Sequence, residues 1–304
     1  MNAYEAVRDG GAGLIELSDR GRIRVSGSEA TMFLNGLVTN DVKSLSENRW
    51  MPAVFPTVQG RLIGAVRIAR VKDGFLIDTE RASHDAVLKT ISRFTMAGDF
   101  KVADVTDEST IFSVQGRRAG EVVGKVCQTN VAELPRNGVT EHEGVTIIRA
   151  THTSEDGFDL VTAADLRQAL QDAGAQPVSQ ETFEILRVEA GIARFGRDMD
   201  ESNVIPETNL DDAVSYTKGC YVGQEIIVRI KHRGHPAKKL AGLKLDQPVE
   251  AGESLTSAVV SPKLGSIGLG YVRYEFIEPG TNVLIDNVNA TVTELPFIRG
   301  SWYG

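Results

Sequence analysis

Residues 73–79 read Asp-Gly-Phe-Leu-Ile-Asp-Thr, and residues 156–162 read Asp-Gly-Phe-Asp-Leu-Val-Thr. Each Asp-Gly pair favours a tight turn, because glycine tolerates positive φ and aspartate bonds its own backbone. Each is preceded by a stretch that reads as a strand, Leu62–Ala69 and Val145–Ala150, and followed by a returning strand, Phe75–Thr79 and Phe158–Val161. A helix is expected after each return. Ser83 would cap the first, with Val87, Leu88 and Ile91 on its apolar face. Thr162 would open the second, with Asp165 at the capping-box position and Leu166, Ala169 and Leu170 on the face. A strand–turn–strand–helix unit that occurs twice points to two related α+β halves sharing a sheet layer. Chance similarity of two Asp-Gly hairpins is the competing explanation.

Outward from these hairpins the same texture continues. Gly21–Val25 reads as a strand, followed by a helix with Ser28 as N-cap and Phe33, Leu34, Leu37 and Val38 on one face, ending at Thr39-Asn40-Asp41. The strand Thr110–Val114 precedes a helix Arg118–Cys127, whose apolar face places Cys127 in the core. Ser179 caps a helix that stops at Gly191. Glu189 lies in its last turn, where a carboxylate meets the negative end of the helix dipole at a cost of about 0.3–1 kcal/mol. Arg187 and Arg194 are the expected compensation; otherwise the acid is there to accept hydrogen bonds from a ligand. From Lys239 onward only short strands appear, punctuated by Pro248, Pro262 and Pro279, as in a small β-barrel or sandwich.

The chain has 304 residues, enough for about two domains. The expected division is a body over 1–238, with halves of about 1–105 and 106–238, and a C-terminal unit over 239–304. No apolar run approaches the roughly 18–20 residues that span a bilayer, and no secretion signal is read at the N-terminus. Two cysteines, Cys127 and Cys220, offer no disulfide framework, so a cytoplasmic home is expected. A net charge of −8 argues against a general nucleic-acid coat.

Residues 218–225, Lys-Gly-Cys-Tyr-Val-Gly-Gln-Glu, concentrate chemistry that core packing does not require. Lys218 sits two positions from Cys220 and would favour its thiolate; the plain alternative is a polar turn leading into a strand at Ile226–Ile230, with Cys220 as filler. A local basic run follows: Arg229, Lys231, Arg233, Lys238 and Lys239, with His232 and His235 among them. It is an anion site for a carboxylate tail, a phosphate or RNA, or else a solvated loop. A metal site from Cys220, His232 and His235 falls short of the four ligands a structural zinc takes. A Walker loop, a dinucleotide fingerprint in context and a serine elbow are all missing.

Several stretches together resemble the YgfZ-type folate-binding proteins, relatives of the glycine-cleavage T-protein (GcvT, an aminomethyltransferase). They are Ser18–Gly27, Phe33–Val42, Arg187–Ile192, Ile205-Pro206-Glu207, the octapeptide Lys218–Glu225 and Leu264–Val272. The resemblance covers nearly the whole chain. It implies an α+β fold with a pseudo-duplicated body around a folate cleft, plus a C-terminal β-barrel. It implies tetrahydrofolate, or a folate carrying a one-carbon unit, held by Glu189, Asn40, Asp41, Lys218, Tyr221, Gln224, Glu225 and Arg229. Glu189 would accept paired N–H bonds from the pterin edge, and Lys218, Arg229 and an anion patch of Lys231, His232, Arg233 and His235 would meet the anionic tail.

One departure bears on the reaction. Where the aminomethyl-transferring relatives carry an aspartate beside the folate, this chain reads Gly60-Arg61-Leu62-Ile63-Gly64-Ala65, with no carboxylate. Whether it is an enzyme is therefore open. The relatives without that acid are associated with iron–sulfur proteins or their assembly machinery, including tRNA-modifying enzymes, and Cys220 becomes the residue for a redox or partner contact. Three classes follow: a folate-binding accessory of iron–sulfur enzymes, a folate-dependent aminomethyltransferase, and an RNA- or protein-binding adaptor with a vestigial cleft. No membrane contact is expected.

Overall fold

The computed structural model describes residues 2–304. Asn2 caps the first helix, α1 (Ala3–Arg8): its side chain accepts from the Glu5 amide while Glu5 accepts from the Asn2 amide. Then come β1 (Gly13–Glu16), β2 (Gly21–Ser26), α2 (Ala30–Leu37), β3 (Arg49–Pro56), β4 (Leu62–Val71), β5 (Gly74–Thr79), α3 (Arg81–Ser92) and β6 (Lys101–Asp104). A second run follows: β7 (Thr110–Gln115), α4 (Ala119–Val126), β8 (Val139–His142), β9 (Val145–Arg149), β10 (Gly157–Thr162), α5 (Arg167–Asp172) and β11 (Gln176–Pro177). The helices α6 (Gln180–Glu189) and α7 (Gln224–Arg233) lead to β12 (Lys238–Leu245), β13 (Leu255–Ser261), β14 (Gly265–Arg273), β15 (Asn282–Ile285) and β16 (Val288–Thr293).

Both Asp-Gly hairpin regions end in the expected return strands, β5 and β10. The halves do not share one sheet: the first builds the order β3-β4-β5-β2-β6 and the second β8-β9-β10-β7-β1-β11. These orders correspond strand for strand, except that β1 is wedged between β7 and β11. It pairs antiparallel with β7 and parallel with β11, so the N-terminal residues complete the second sheet rather than the first. Alternation along each strand puts one face onto helices. Ile23, Ile68 and Ile77 pack with Leu34 of α2 and Val87 of α3; Phe112, Ile147 and Leu160 pack with Val122 of α4 and Leu170 of α5. Each such buried side chain contributes about 1.5–3 kcal/mol. Cys127 is buried in the second cluster, as its helical position requires. The two sheets meet through Ala69, Leu76, Val139 and Ile148, and the Trp50 indole donates to the Arg149 carbonyl across the junction.

Several local expectations are corrected. Ser28 does not cap α2; its amide and hydroxyl both donate to Asp99. Ser83 lies inside α3 and donates to the Glu80 carbonyl. Thr162 still belongs to β10, so the next helix starts only at Arg167, where Asp165 accepts from the Arg167 amide. Ser179 does cap α6, accepting from Thr182. Residues 226–230 are helix, not strand. A continuous apolar run fits either period, and here Gly223 decides it. Its φ is 76°, and an added Cβ would strike the Thr57 carbonyl oxygen, so the chain turns sharply into α7 and buries Ile227.

The C-terminal strands form an open sheet, β13-β14-β12-β16-β15, not a closed barrel. Its edge strands β13 and β15 never pair. The Asp286 carboxylate instead accepts the amides of Ser254 and Leu255, each at 2.8 Å, tying the last hairpin to the start of β13 with one side chain in place of a ladder. Beyond β16 the chain returns to the body. The Ile298 amide donates to the Glu189 carbonyl and the Trp302 amide to that of Ser154. No helix among the described residues is long and apolar enough to cross a membrane.

Candidate functional site

Where the two halves meet beneath α6, a cavity of about 170 Å³ opens between the sheets. Apolar walls come from Pro52, Ala53 and Ala65 on one side and Phe183, Phe195 and Met199 on the other. An alternating chain of charges runs beside it, with Arg194, Glu80, Arg20, Arg67 and His152 at the wall and Asp78 and Asp159 behind them. Arg194 donates to Glu80 at 2.9 Å, and Glu80 also pairs with Arg20. Arg20 donates to Asp78 at 2.6 Å. Asp78 accepts from the Arg67 Nε at 2.6 Å, and Arg67 reaches across to Asp159 at 2.7 Å. Asp159 closes the run by accepting from His152 Nε2 at 2.9 Å.

Strand geometry builds this row. Arg67 on β4 faces Asp78 on β5 in register, while Asp159 lies on β10 of the other sheet, so Arg67 bridges the halves. Burial by itself would raise all three carboxyls. The guanidinium groups of Arg20 and Arg67 hold Asp78 below the usual range, Arg20 and Arg194 do the same for Glu80, and His152 with Arg67 holds Asp159 far below it. The row is thus ionised, and its three acids balance its three arginines.

Ala65 lines this cavity at the position where the resemblance leads one to look for an acid. Its neighbour Gly64 points the other way: a Cβ there would lie 2.7 Å from the Val87 side chain and 2.9 Å from that of Ser83. Glu80 is therefore the carboxylate at the wall, and two arginines hold it.

The residues singled out from sequence are placed otherwise. Glu189 is fully buried and does not line the cavity. Its carboxylate accepts from Tyr4 at 2.8 Å, from Ser261, and from two nitrogens of Arg8 at 2.8 Å. Arg8, not Arg187 or Arg194, offsets the helix dipole, so a pterin grip by Glu189 is not what the geometry offers. Arg187 pairs with Glu184 and Asp198. Lys218 is buried too. Its ammonium donates to the carbonyls of Asn35, Val38 and Asn40 at 2.6–2.7 Å, closing the C-terminal end of α2 with all three protons. Burial lowers its pKa to about 8.

Asn40 and Asp41 stay outside the cavity. The Asn40 amide donates to the carbonyls of Pro52 and Asp212, and Asp41 accepts from the Lys43 amide. Tyr221 lies under the Lys218 ammonium, 4.8 Å from ring centroid to Nζ, with its hydroxyl unpartnered among the described residues. Gln224 and Glu225 form the first turn of α7, and Arg229 is exposed on it. The basic patch is a separate surface: Lys231 and Lys239 approach Asp211, His232 meets Tyr216 edge-on, and His235 stacks on Tyr274 at 4.1 Å. The side chain of Arg233 lies outside what is described. Cys220 is exposed.

Lys218, Asn40 and Tyr221 thus lie together but outside the cavity, and the sequence reading passed over the charged row. Its signal was there: Arg67, Asp78 and Asp159 are ions set inside stretches that otherwise read as buried strands.

Comparison with known proteins agrees with this architecture. A family model, the GCVT N-terminal domain, matches residues 2–218. An aminomethyltransferase of Rubrobacter xylanophilus is 32% identical across 97% of this chain and 85% of its own length. A putative chloroplastic transferase of Arabidopsis thaliana is 25% identical across 95% of this chain and 72% of its own. The crystal structure of the glycine cleavage system aminomethyltransferase T from Bartonella henselae superposes with a TM-score of 0.89 over 98% of this chain and 89% of that one; at 21% identity this speaks to the fold. The chain belongs to the GCVT N-terminal domain family.

Proposed function

We propose that the chain binds a tetrahydrofolate in the cavity between its two sheets and acts in folate-dependent one-carbon transfer of the glycine-cleavage type. The observation that supports this most is the cavity itself. It is a slot between apolar walls, with a fixed, ionised row of acids and arginines along one side, formed where two strand-for-strand equivalent halves meet. Apolar walls take the faces of a heterocycle, and a polar edge fixes its orientation. That equivalence also supports reading the body as a duplication. The relatives named aminomethyltransferase favour the transfer reading.

A second reading keeps the folate and drops the transfer: a YgfZ-type accessory protein of iron–sulfur enzymes, tRNA-modifying ones among them. Two observations favour it. Ala65, not an acid, stands at that position of the cavity wall, and Cys220 is exposed inside the octapeptide. A single thiol does not hold a cluster, which takes about four, so Cys220 would make a transient redox or partner contact.

Anaerobic equilibrium binding of tetrahydrofolate to the full chain tests what the two readings share; no binding removes both. Incubation with tetrahydrofolate and an aminomethyl donor then divides them. Appearance of methylenetetrahydrofolate supports the transferase, and binding without turnover supports the accessory protein.

A further inference from the structure

The cavity wall is rich in donors and poor in free acceptors. Arg20, Arg67 and Arg194 only donate. The acids beside them are committed: Glu80 to Arg20 and Arg194, Asp78 to Arg20 and Arg67, and Asp159 to Arg67 and His152. One imidazole at the wall keeps a nitrogen uncommitted. His152 is nine-tenths buried and lines the cavity. Its Nε2 lies 2.9 and 3.2 Å from the two Asp159 oxygens, and its Nδ1 makes no hydrogen bond among the described residues.

We infer that His152 is the ligand-facing acceptor of this cavity, with Nδ1 as the accepting atom, and that it selects a ligand bearing a ring N–H. Its tautomer follows from its partners. An ionised Asp159 accepts only, so Nε2 carries the hydrogen and Nδ1 the lone pair. The Nη1 of Arg67 approaches the same Nε2 at 3.5 Å. The ring is held from two sides, Phe183 meeting it edge-on and Asp159 anchoring the far nitrogen, while its backbone amide donates to Gln115. A ligand that offers only acceptors has no partner at Nδ1, whereas one with a ring N–H finds one there. The inference rests on the folate reading for the identity of the ligand.

Protonating His152 would turn Nδ1 into a donor and cancel the selection. The charged groups that bear on the ring are Asp159 on β10, Arg67 on β4, Asp78 on β5, Arg20 before β2, Glu80 before α3, Arg187 on α6 and Arg194 beyond it. The acids among them stay ionised through the range in which histidines charge.

The test is anaerobic binding of tetrahydrofolate by the full chain between pH 5.5 and 8. Wild-type affinity is expected to fall as pH drops. His152→Phe keeps the ring and removes the acceptor; it is expected to bind about tenfold more weakly at pH 8, with a flat pH profile. His152→Asn, whose amide can place an oxygen near the Nδ1 position, is expected to recover part of the affinity at pH 8 without the pH dependence. A flat wild-type profile overturns the inference even if both variants fail to fold. Unchanged affinity in a folded His152→Phe overturns it as well. Absence of any wild-type binding at pH 8 removes the folate reading, and the inference falls with it.

Discussion

Two buried acids in this molecule have nearly the same surroundings and opposite meanings. Glu189 and Asp159 are both wholly buried, and each meets an arginine and a further polar partner. Around Glu189 the set is closed: Tyr4, Arg8 and Ser261 take its oxygens, and the remaining nitrogen of Arg8 is held by the carbonyl of Thr153 and by Glu155. Every member fastens one piece of chain to another, joining α1, α6, the 153–155 segment and the end of β13. Around Asp159 the set has an open end, because His152 carries a nitrogen with no partner and stands at a cavity. Burial and ion pairing alone do not mark a site; the proposal for His152 rests on an uncommitted atom at a cavity as well.

The sharpest way to break this comparison is to remove the cation from the closed set. Arg8→Met leaves the buried Glu189 and Glu155 carboxyls short of donors. We expect a loss of about 3–5 kcal/mol in chemical denaturation, with folate affinity of the folded protein unchanged. A variant of wild-type stability would show that the cluster is not a clamp. A large loss of folate affinity at unchanged stability would restore Glu189 as a ligand group.

Asp159→Asn tests the open set. It keeps the shape and removes the charge that Arg67 and His152 share, so a loss of about 3 kcal/mol at pH 7 is expected, in line with a charge-assisted pair. Its pH dependence carries the sign. The Asp159 carboxyl is lower in the folded than in the unfolded chain. Between the two values the unfolded chain binds more protons, so stability rises with pH across that window. The contribution is complete above the ordinary carboxylate range, near pH 4, and fades as pH falls below it. Wild type and Asp159→Asn are therefore expected to keep a constant gap in denaturation midpoint from pH 7 down to about 4 and to converge as pH falls below that. A gap that stays constant below that point would mean the acid is not stabilised as its neighbours suggest.

The same contrast explains what the sequence disclosed. The first hairpin was legible because Asp73-Gly74 and alternating strands are local signals, and the cap at Ser179 is local too; at the second the strands were legible but the turn was not, since Gly157 already pairs within β10 and residues 150–156 make the connection. The insertion of β1 between β7 and β11 is not, since Gly13–Glu16 is too short to announce a partner far along the chain. Ile226–Ile230 reads equally as strand or helix until Gly223 sets the entry angle. The barrel expectation failed at its edges: five short strands say nothing about closure, which depends on whether β13 and β15 can pair. Among site residues, Glu189 was noticed for its wrong place in a helix dipole, and that oddity is real. Its resolution, Arg8, lies at the opposite end of the chain, where periodicity cannot point. The charged row was in plain view as Arg67, Asp78 and Asp159, but a charge inside an apolar strand gains meaning only when its partner strand is known.

Lys218 supplies a smaller test. Its ammonium is the terminal cap of α2, so Lys218→Met leaves three carbonyls without donors while filling a similar volume. A cost of about 2 kcal/mol is expected, with increased hydrogen exchange confined to the last turn of α2 and the segment up to Asn40. If the loss appeared instead in folate affinity, with the helix intact, the residue would belong to the ligand site after all.

Cys220 should give the smallest effect on the fold and the clearest separation of the two functional readings. It is exposed and borders no cavity wall, so Cys220→Ala is expected to change stability by less than about 0.5 kcal/mol and to leave tetrahydrofolate affinity where it was. Removal of a side chain that neither packs nor binds can then be felt only through its chemistry. If the chain is an aminomethyltransferase, formation of methylenetetrahydrofolate is unchanged in the variant, because the thiol lies outside the cavity in which transfer occurs. If it is an accessory of iron–sulfur enzymes, the variant folds and binds folate like wild type, yet fails to restore those enzymes in cells that lack the protein. Full restoration, with turnover absent, would leave the octapeptide as a structural turn whose one indispensable member is the buried lysine beside the cysteine.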